Sequence, residues 1–175
     1  MKRVAVFGNA GGGKSTLARK LAEITGLPLY VIDKMRWREG GEPVPREEFL
    51  AAHAKLLREE EWIVDGFDSI DLAWERFERA DTLVHVDLPV ATHYWWVTKR
   101  FLGGLVRDPP GWPKGSPLWS STRQSYRVIG LCDKNLTPKY RAYVAESASR
   151  KRTYHLRSPA EIETFLAEVH REHAK

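Results

Sequence analysis

One cysteine, Cys132, stands in a chain of 175 residues. No internal disulfide can form, and such a chain suits a reducing cytoplasm, with Cys132 expected as a core thiol rather than a reactive one. No apolar run approaches the ~18 residues of a membrane span. Met1-Lys2-Arg3 leads too quickly into a glycine-rich segment for the apolar core of a signal peptide. Zinc-ligand spacing, internal repeats, low-complexity tails and an aromatic RNA-binding signature are all missing. Acidic residues are outnumbered, 23 against 28 Lys and Arg, for a net charge of +5. That balance admits nucleic acid as a partner, but enzymes that handle phosphate also accumulate cations, so charge alone does not choose. Hydrophobic content of 42% and charged content of 29% are ordinary for a globular chain. The length suits a single domain spanning residues 1–175.

What the sequence does contain is Gly8-Asn9-Ala10-Gly11-Gly12-Gly13-Lys14-Ser15-Thr16. It matches the phosphate-binding loop pattern G-x-x-x-x-G-K-[ST] at every defined position. Arg3 to Phe7 reads as a buried strand leading in, and Leu17, Leu21 and Ile24 recur at helical spacing leading out. Strand, glycine loop and helix is the context that the motif requires. Backbone N–H groups from Gly8 through Thr16, Ala10 included, are expected to face phosphate oxygens, helped by the positive end of the helix dipole. Lys14 is expected to reach the β- and γ-phosphates, and Ser15 to place its hydroxyl on magnesium. A dinucleotide-binding turn is the competing reading, with Asp33 at about the right distance for a ribose. The G-x-G-x-x-G spacing is absent, however, and Lys14-Ser15 has no role in such a turn. A nucleoside triphosphate with Mg2+ is therefore the expected ligand, and the loop does not choose the base.

Further along, Gly26-Leu27-Pro28 ends the first helix, and Leu29 to Ile32 is a second strand closed by Asp33. Lys34 to Pro45 is expected as loop. A helix carrying Phe49, Leu56 and Leu57 precedes a third strand, Trp62-Ile63-Val64, closed by Asp65-Gly66. A short helix follows, then a fourth strand from Thr82 to Val86 and a helix from Val90 to Leu102. Gly103 to Pro117 holds four glycines and four prolines and is expected to be irregular. Thr137-Pro138 reads as the N-cap and first residue of another helix. Thr153 to Leu156 is a fifth strand, and Ser158-Pro159-Ala160-Glu161 has the spacing of a capping box. Alternating strands and helices predict an α/β fold with a parallel sheet covered on both faces. Ligands of such sheets gather at the carboxyl ends of the strands, where Asp33, Asp65 and the glycine loop fall. In that position Asp65 is expected to orient magnesium, and Asp33 to hold metal or to act as base toward an acceptor hydroxyl.

Val64-Asp65-Gly66-Phe67 resembles the third-strand signature of adenylate kinases, and Val6-Phe7-Gly8 through Thr16 is similar to their opening. Asp33, Trp37, a Gly/Pro loop and Trp62 to Gly66 together resemble more closely the bacterial topology-modulation (FlaR-type) proteins. Leu156-Arg157-Ser158-Pro159-Ala160-Glu161 is also similar to that group. The resemblance is strong over residues 1–90 and loose over 100–150. It implies a three-layer P-loop NTPase fold of the nucleoside/nucleotide kinase type, with five parallel strands in the order 2-3-1-4-5. It also implies an acceptor region after the second strand and a lid around residues 100–125. One departure stands out: the Pro-Arg that follows Asp-Gly-Phe in adenylate kinases is replaced here by Asp68-Ser69.

In that frame Arg100 occupies the place of a lid arginine, with Arg107, Arg123 and Arg127 as further candidates to steady charge on the transferring group. Arg36 and Arg38 are candidates for an anionic acceptor. Trp95 and Trp96 are expected in core or lid packing, and Trp37 and Trp112, in glycine- and proline-rich loops, as core or as rings for stacking. His85 is expected as a strand residue with its hydrogen bonds satisfied. The expected function is transfer of the γ-phosphoryl group of ATP to a small acceptor: a nucleoside, a nucleotide or a small alcohol. The alternative is a nucleotide-dependent regulatory or DNA-associated protein, for which Arg150-Lys151-Arg152 is the only basic cluster.

Overall fold

The computed structural model describes residues 1–38, 42–104 and 118–174. Five strands form one parallel sheet: β1 (Arg3–Gly8), β2 (Leu29–Val31), β3 (Trp62–Asp65), β4 (Thr82–Val86) and β5 (Arg152–Leu156). Their order is β2-β3-β1-β4-β5, the order expected from the sequence resemblance. Eight helices connect and flank them among the described residues: α1 (Lys14–Thr25), α2 (Ile32–Met35), α3 (Arg46–Leu56), α4 (Ile70–Arg79), α5 (Val90–Gly104), α6 (Leu118–Asn135), α7 (Thr137–Ser147) and α8 (Pro159–His173).

The alternation of side chains along each strand divides the core into two layers. Val4 and Val6 of β1, with Ile63, Val84 and Val86, pack on Leu17 and Leu21 of α1 and Phe165 and Val169 of α8. Ala5 and Phe7 point the other way, with Val64 and Leu83, toward Phe49 of α3, Phe77 of α4 and Tyr140 of α7. Both faces are apolar because both are covered, which is why the strands read as continuous hydrophobic runs.

Helix ends follow local chemistry. Ser69 caps α4 by accepting the Leu72 N–H, and Ser158 caps α8 by accepting the Glu161 N–H. Glu161 in turn accepts the Arg157 N–H at 2.8 Å. Two local expectations shift. Ile32–Met35 is a short helix, so Asp33 sits in its first turn rather than closing the second strand. Thr137 is the first residue of α7, and Leu136 occupies the cap position. Gly103 and Gly104, expected in an irregular segment, belong to α5; residues 105–117 of the expected lid lie outside the described residues. No helix among the described residues is long and apolar enough to cross a membrane.

Candidate nucleotide and acceptor site

The glycine loop joins β1 to α1 and is built for close approach. Gly8 has φ +141°, and a methyl group there would land inside the carbonyl oxygen of Val86 on β4. Only glycine allows β1 and β4 to come together at that point. Gly13 caps α1 in the left-handed region, φ +76°. Unlike α4 and α8, α1 has no side-chain cap and no acid in its first turn, so its N-terminal dipole is left open for an anion.

The loop is braced from behind by α5 and α6, contacts that no local motif announces. His93 bonds the Ala10 carbonyl through Nδ1 at 2.8 Å, and Asn9 donates from Nδ2 to the Ile129 carbonyl at 3.0 Å. A methyl at Gly11 would lie 2.6 Å from Val97, and one at Gly12 would lie 2.7 Å from the His93 ring. The glycines therefore serve packing against α5 as well as approach to a ligand. Lys14 donates from Nζ to the Asn9 carbonyl at 2.7 Å, across the concave side of the loop.

Asp65 ends β3, paired in register with Val31 of β2. It is 1% exposed, and neither carboxylate oxygen has a hydrogen-bond partner. A buried carboxylate left without donors is costly and is ordinarily matched to a cation. Asp33 comes close: its Oδ2 is within 3.0 Å of where a side chain at Gly66 would begin. Burial raises the Asp33 pKa and the Asp65 charge raises it further, while Lys14, the Phe67 N–H and Arg76 pull it down. Asp33, Asp65 and Lys14 thus share one electrostatic neighbourhood.

Arg76 is the member of that neighbourhood that the sequence reading missed. It lies on α4, 3% exposed, donating to the Leu72 carbonyl at 3.2 Å and the Gly66 carbonyl at 3.0 Å. Burial lowers its pKa, opposed by Tyr140, Asp65, Asp33 and Asp68. A buried guanidinium facing three carboxylates had one sequence signal, an arginine inside an amphipathic helix on the apolar side.

The departure Asp68-Ser69 acquires a structural account. The Asp68 side chain is 3% exposed and pairs with Arg46 at 2.6 Å and Arg36 at 3.3 Å, while Ser69 is the α4 cap. Arg38 pairs with Glu48. Arg36 and Arg38, expected to be available to an anionic acceptor, are therefore engaged with acids of the chain itself. Trp37, Phe67 and Ile70 are exposed.

Among the arginines considered for a lid, Arg100 is exposed on α5, with partial burial of its guanidinium lowering the pKa. It lies two turns, about 10 Å, along α5 from His93 and on the same stripe of the helix. Arg123 and Arg127 are exposed on α6, and Arg107 lies outside the described residues, as does Trp112. Trp95, expected in packing, is exposed instead, and Trp96 packs against the α1/α8 core. The basic cluster is largely spent on the fold: Lys151 donates to the carbonyls of Phe77 and Glu78 at 2.6 Å each, and Arg152 pairs with Glu172.

A second polar centre lies at the ends of β4 and β5. Asp87 receives a two-pronged bond from Arg141, Nε to Oδ2 at 2.7 Å and Nη2 to Oδ1 at 2.9 Å, and another from His155 Nε2 at 2.6 Å. Desolvation would raise its pKa, but these donors outweigh it and hold the carboxyl down at about 2. The expectation for His85 fails here. It is 1% exposed, neither ring nitrogen has a partner, and burial pushes its pKa down to about 3.

No protein-family model matches this chain, and no curated protein matches it. Solved structures similar to it include a gluconokinase from Sinorhizobium meliloti 1021, with a TM-score of 0.45, 19% identity, and coverage of 98% of this chain and 88% of that one. Another is a sugar kinase from Janibacter sp. HTCC2649 in unliganded form, with a TM-score of 0.41, 18% identity, and coverage of 73% of this chain and 91% of that one. At these identities and TM-scores, they assign this chain neither an activity nor a substrate.

Proposed function

We propose that this chain is an ATP- and Mg2+-dependent phosphotransferase that acts on a small hydroxyl-bearing acceptor, related in its motifs to adenylate kinases and topology-modulation proteins. The observation that carries the reading is Asp65: a fully buried carboxylate with two unpartnered oxygens, at the strand edge beside an uncapped helix N-terminus and its glycine loop. An ion and a phosphate chain together satisfy both vacancies, and neither is satisfied by the fold alone.

In this reading the loop N–H groups from Gly8 through Thr16, those of Ala10, Gly11, Gly12 and Gly13 among them, cradle the phosphates. Lys14 gives up its bond to the Asn9 carbonyl for the β- and γ-phosphate oxygens. Ser15 and Asp65 are the residues that would hold magnesium. Held there, magnesium would supply positive charge against that building on the phosphate oxygens. Asp33, its pKa raised by burial and by Asp65, accepts the proton of the acceptor hydroxyl. Arg76 steadies Asp33 from behind, and Arg100 supplies positive charge from the α5 side. With Asp68 neutralised by Arg36 and Arg46, and Trp37, Phe67 and Ile70 exposed on the segments that follow Asp33 and Asp65, an acceptor with a hydrophobic or planar face is favoured over a highly charged one.

ADP release in a coupled assay, across nucleosides, nucleotides and small alcohols, tests the proposal. At least one acceptor is expected to raise turnover well above basal hydrolysis, and Lys14→Ala to abolish the rise. If every acceptor leaves turnover at the basal rate, the kinase reading is wrong.

A further inference from the structure

We propose that His85, Asp87 and His155 form a binding site for a borderline-soft divalent transition metal of the zinc class, separate from the magnesium site at Asp65. The sheet itself assembles the ligands. β4 and β5 run parallel with His85 opposite His155, and Asp87 lies two residues beyond His85, on the same face. One ligand atom from each residue lies within 4.8 Å of the other two. Among the described residues, this is the one cluster of His, Cys, Asp and Glu that comes so close.

The state of each ligand favours a metal over a structural role. His85 stacks between Phe7 and His155, with ring centroids 5.0 Å apart on both sides and interplanar angles of 7° and 16°. Stacking uses the faces of the ring and leaves both nitrogens at its edges without a partner, in a residue that is 1% exposed; because the two imidazoles lie nearly parallel, one of them turns out of the stack when both hold one ion. Packing alone would be served as well by phenylalanine, without the cost of two buried, unpaired nitrogens. His155 accepts from Arg157 Nη2 at Nδ1, 3.2 Å away. Because guanidinium only donates, this leaves the proton on Nε2, which points it at Asp87 Oδ2 at 2.6 Å. A short imidazole–carboxylate bond of this kind is where a metal takes the place of a proton. Asp87 offers about four acceptor positions and spends three on Arg141 and His155, so it can ligate while Arg141 keeps it oriented.

Room and access are present. A cavity of about 340 Å³, lined by Asp87, Pro89, Arg141, His155 and Arg157, opens onto the Asp87 and His155 ends of the cluster. It can supply the remaining coordination position with water or a small anion. Two imidazoles and one carboxylate with an open position match zinc, cobalt or nickel, whereas magnesium prefers oxygen donors throughout.

The test is a titration of the full chain, stripped with chelator, with Zn2+ in competition with a chromophoric chelator, and with Co2+ read by visible absorption. One equivalent is expected to bind, with a large excess of Mg2+ leaving it in place. His85→Phe preserves the ring stack, and His155→Gln changes a residue at the cavity wall. Each is expected to weaken binding at least tenfold and to abolish the Co2+ spectrum. His173→Ala, which removes a ring bonded to the Val169 carbonyl on α8 and not part of the cluster, is expected to change nothing. If His85→Phe does not fold, His155→Gln carries the result. Absence of binding, equal affinity in wild type and His155→Gln, displacement by Mg2+, or loss confined to His173→Ala each overturns the proposal. None of these outcomes depends on kinase activity.

Discussion

Replacing Asp65 by asparagine should stabilise the empty protein and weaken the loaded one. The side chain is 1% exposed, and both oxygens lack donors. The two cations nearest in charge terms are committed elsewhere, Arg76 to the Gly66 and Leu72 carbonyls and Lys14 to the Asn9 carbonyl. An unsatisfied buried polar group costs about 1–3 kcal/mol, and a charged one more. The like charge of Asp33 adds to that cost. Asparagine keeps the volume and a buried polar group and removes only the charge, so the gain in the absence of ligand is the extra cost of the charge less its attraction to Arg76, about 1 kcal/mol. For a domain of this size that is roughly 2–4 °C in Tm. Ligand reverses the order. A nucleotide–magnesium pair at about 100 times its Kd stabilises the wild type by about 2.7 kcal/mol, and the variant, lacking the metal ligand, by much less. Thermal melts of both proteins, in chelator and in excess Mg2+ with ATP, should therefore cross. A variant that melts below wild type in chelator would show that the fold itself satisfies Asp65, and the assignment of Asp65 to magnesium would fall.

Other perturbations separate fold from chemistry. Gly8→Ala places a methyl group inside the Val86 carbonyl oxygen at φ +141° and should cost about 3 kcal/mol or more in urea unfolding; a loss below 1 kcal/mol would mean that β1 and β4 can move apart at little cost. Asp33→Asn should lower acceptor-dependent turnover by about 10²–10⁴ while nucleotide affinity and basal hydrolysis hold, and an unchanged kcat would remove Asp33 as base. At the opposite edge, burial would raise the Asp81 pKa, but hydrogen bonds from the Thr82 hydroxyl and the Arg3 and Lys2 N–H groups hold it below 3.8. A depressed folded pKa means that its stabilisation is complete above the unfolded value and is lost as pH falls below it. Asp81→Asn should therefore destabilise by about 1 kcal/mol at neutral pH, and the difference should shrink progressively in urea melts below pH 3.8. A difference that persists unchanged in acid would exclude the charge as its cause.

From sequence alone came most of what short-range periodicity and backbone chemistry control, the helical turn at Ile32–Met35 and the cap of α7 excepted. Val4-Ala5-Val6-Phe7 alternates between two covered faces, Gly13 ends in the one backbone region that turns the chain into α1, and Ser158 with Glu161 starts α8. The strand order followed from the resemblance, and the nearness of Asp33 and Asp65 from the alternation of strands and helices; both hold in the structure. Tertiary structure alone decided how distant polar groups meet. Arg141 and His155 reach Asp87 across 54 and 68 residues, His93 reaches Ala10 across 83, and Asn9 reaches Ile129 across 120. His85 looked like an ordinary strand residue because its environment comes from β1, β5 and α7, none of them adjacent to it in sequence. In the sequence Asp68 is only a departure from the adenylate kinase pattern; its pairing with Arg36 and Arg46 is set by the fold. Local pattern reports neighbours within one turn of a helix or a few strand residues. The crossovers of a parallel sheet bring together groups from its two halves, and the register that sets those meetings is fixed by core packing over the whole chain.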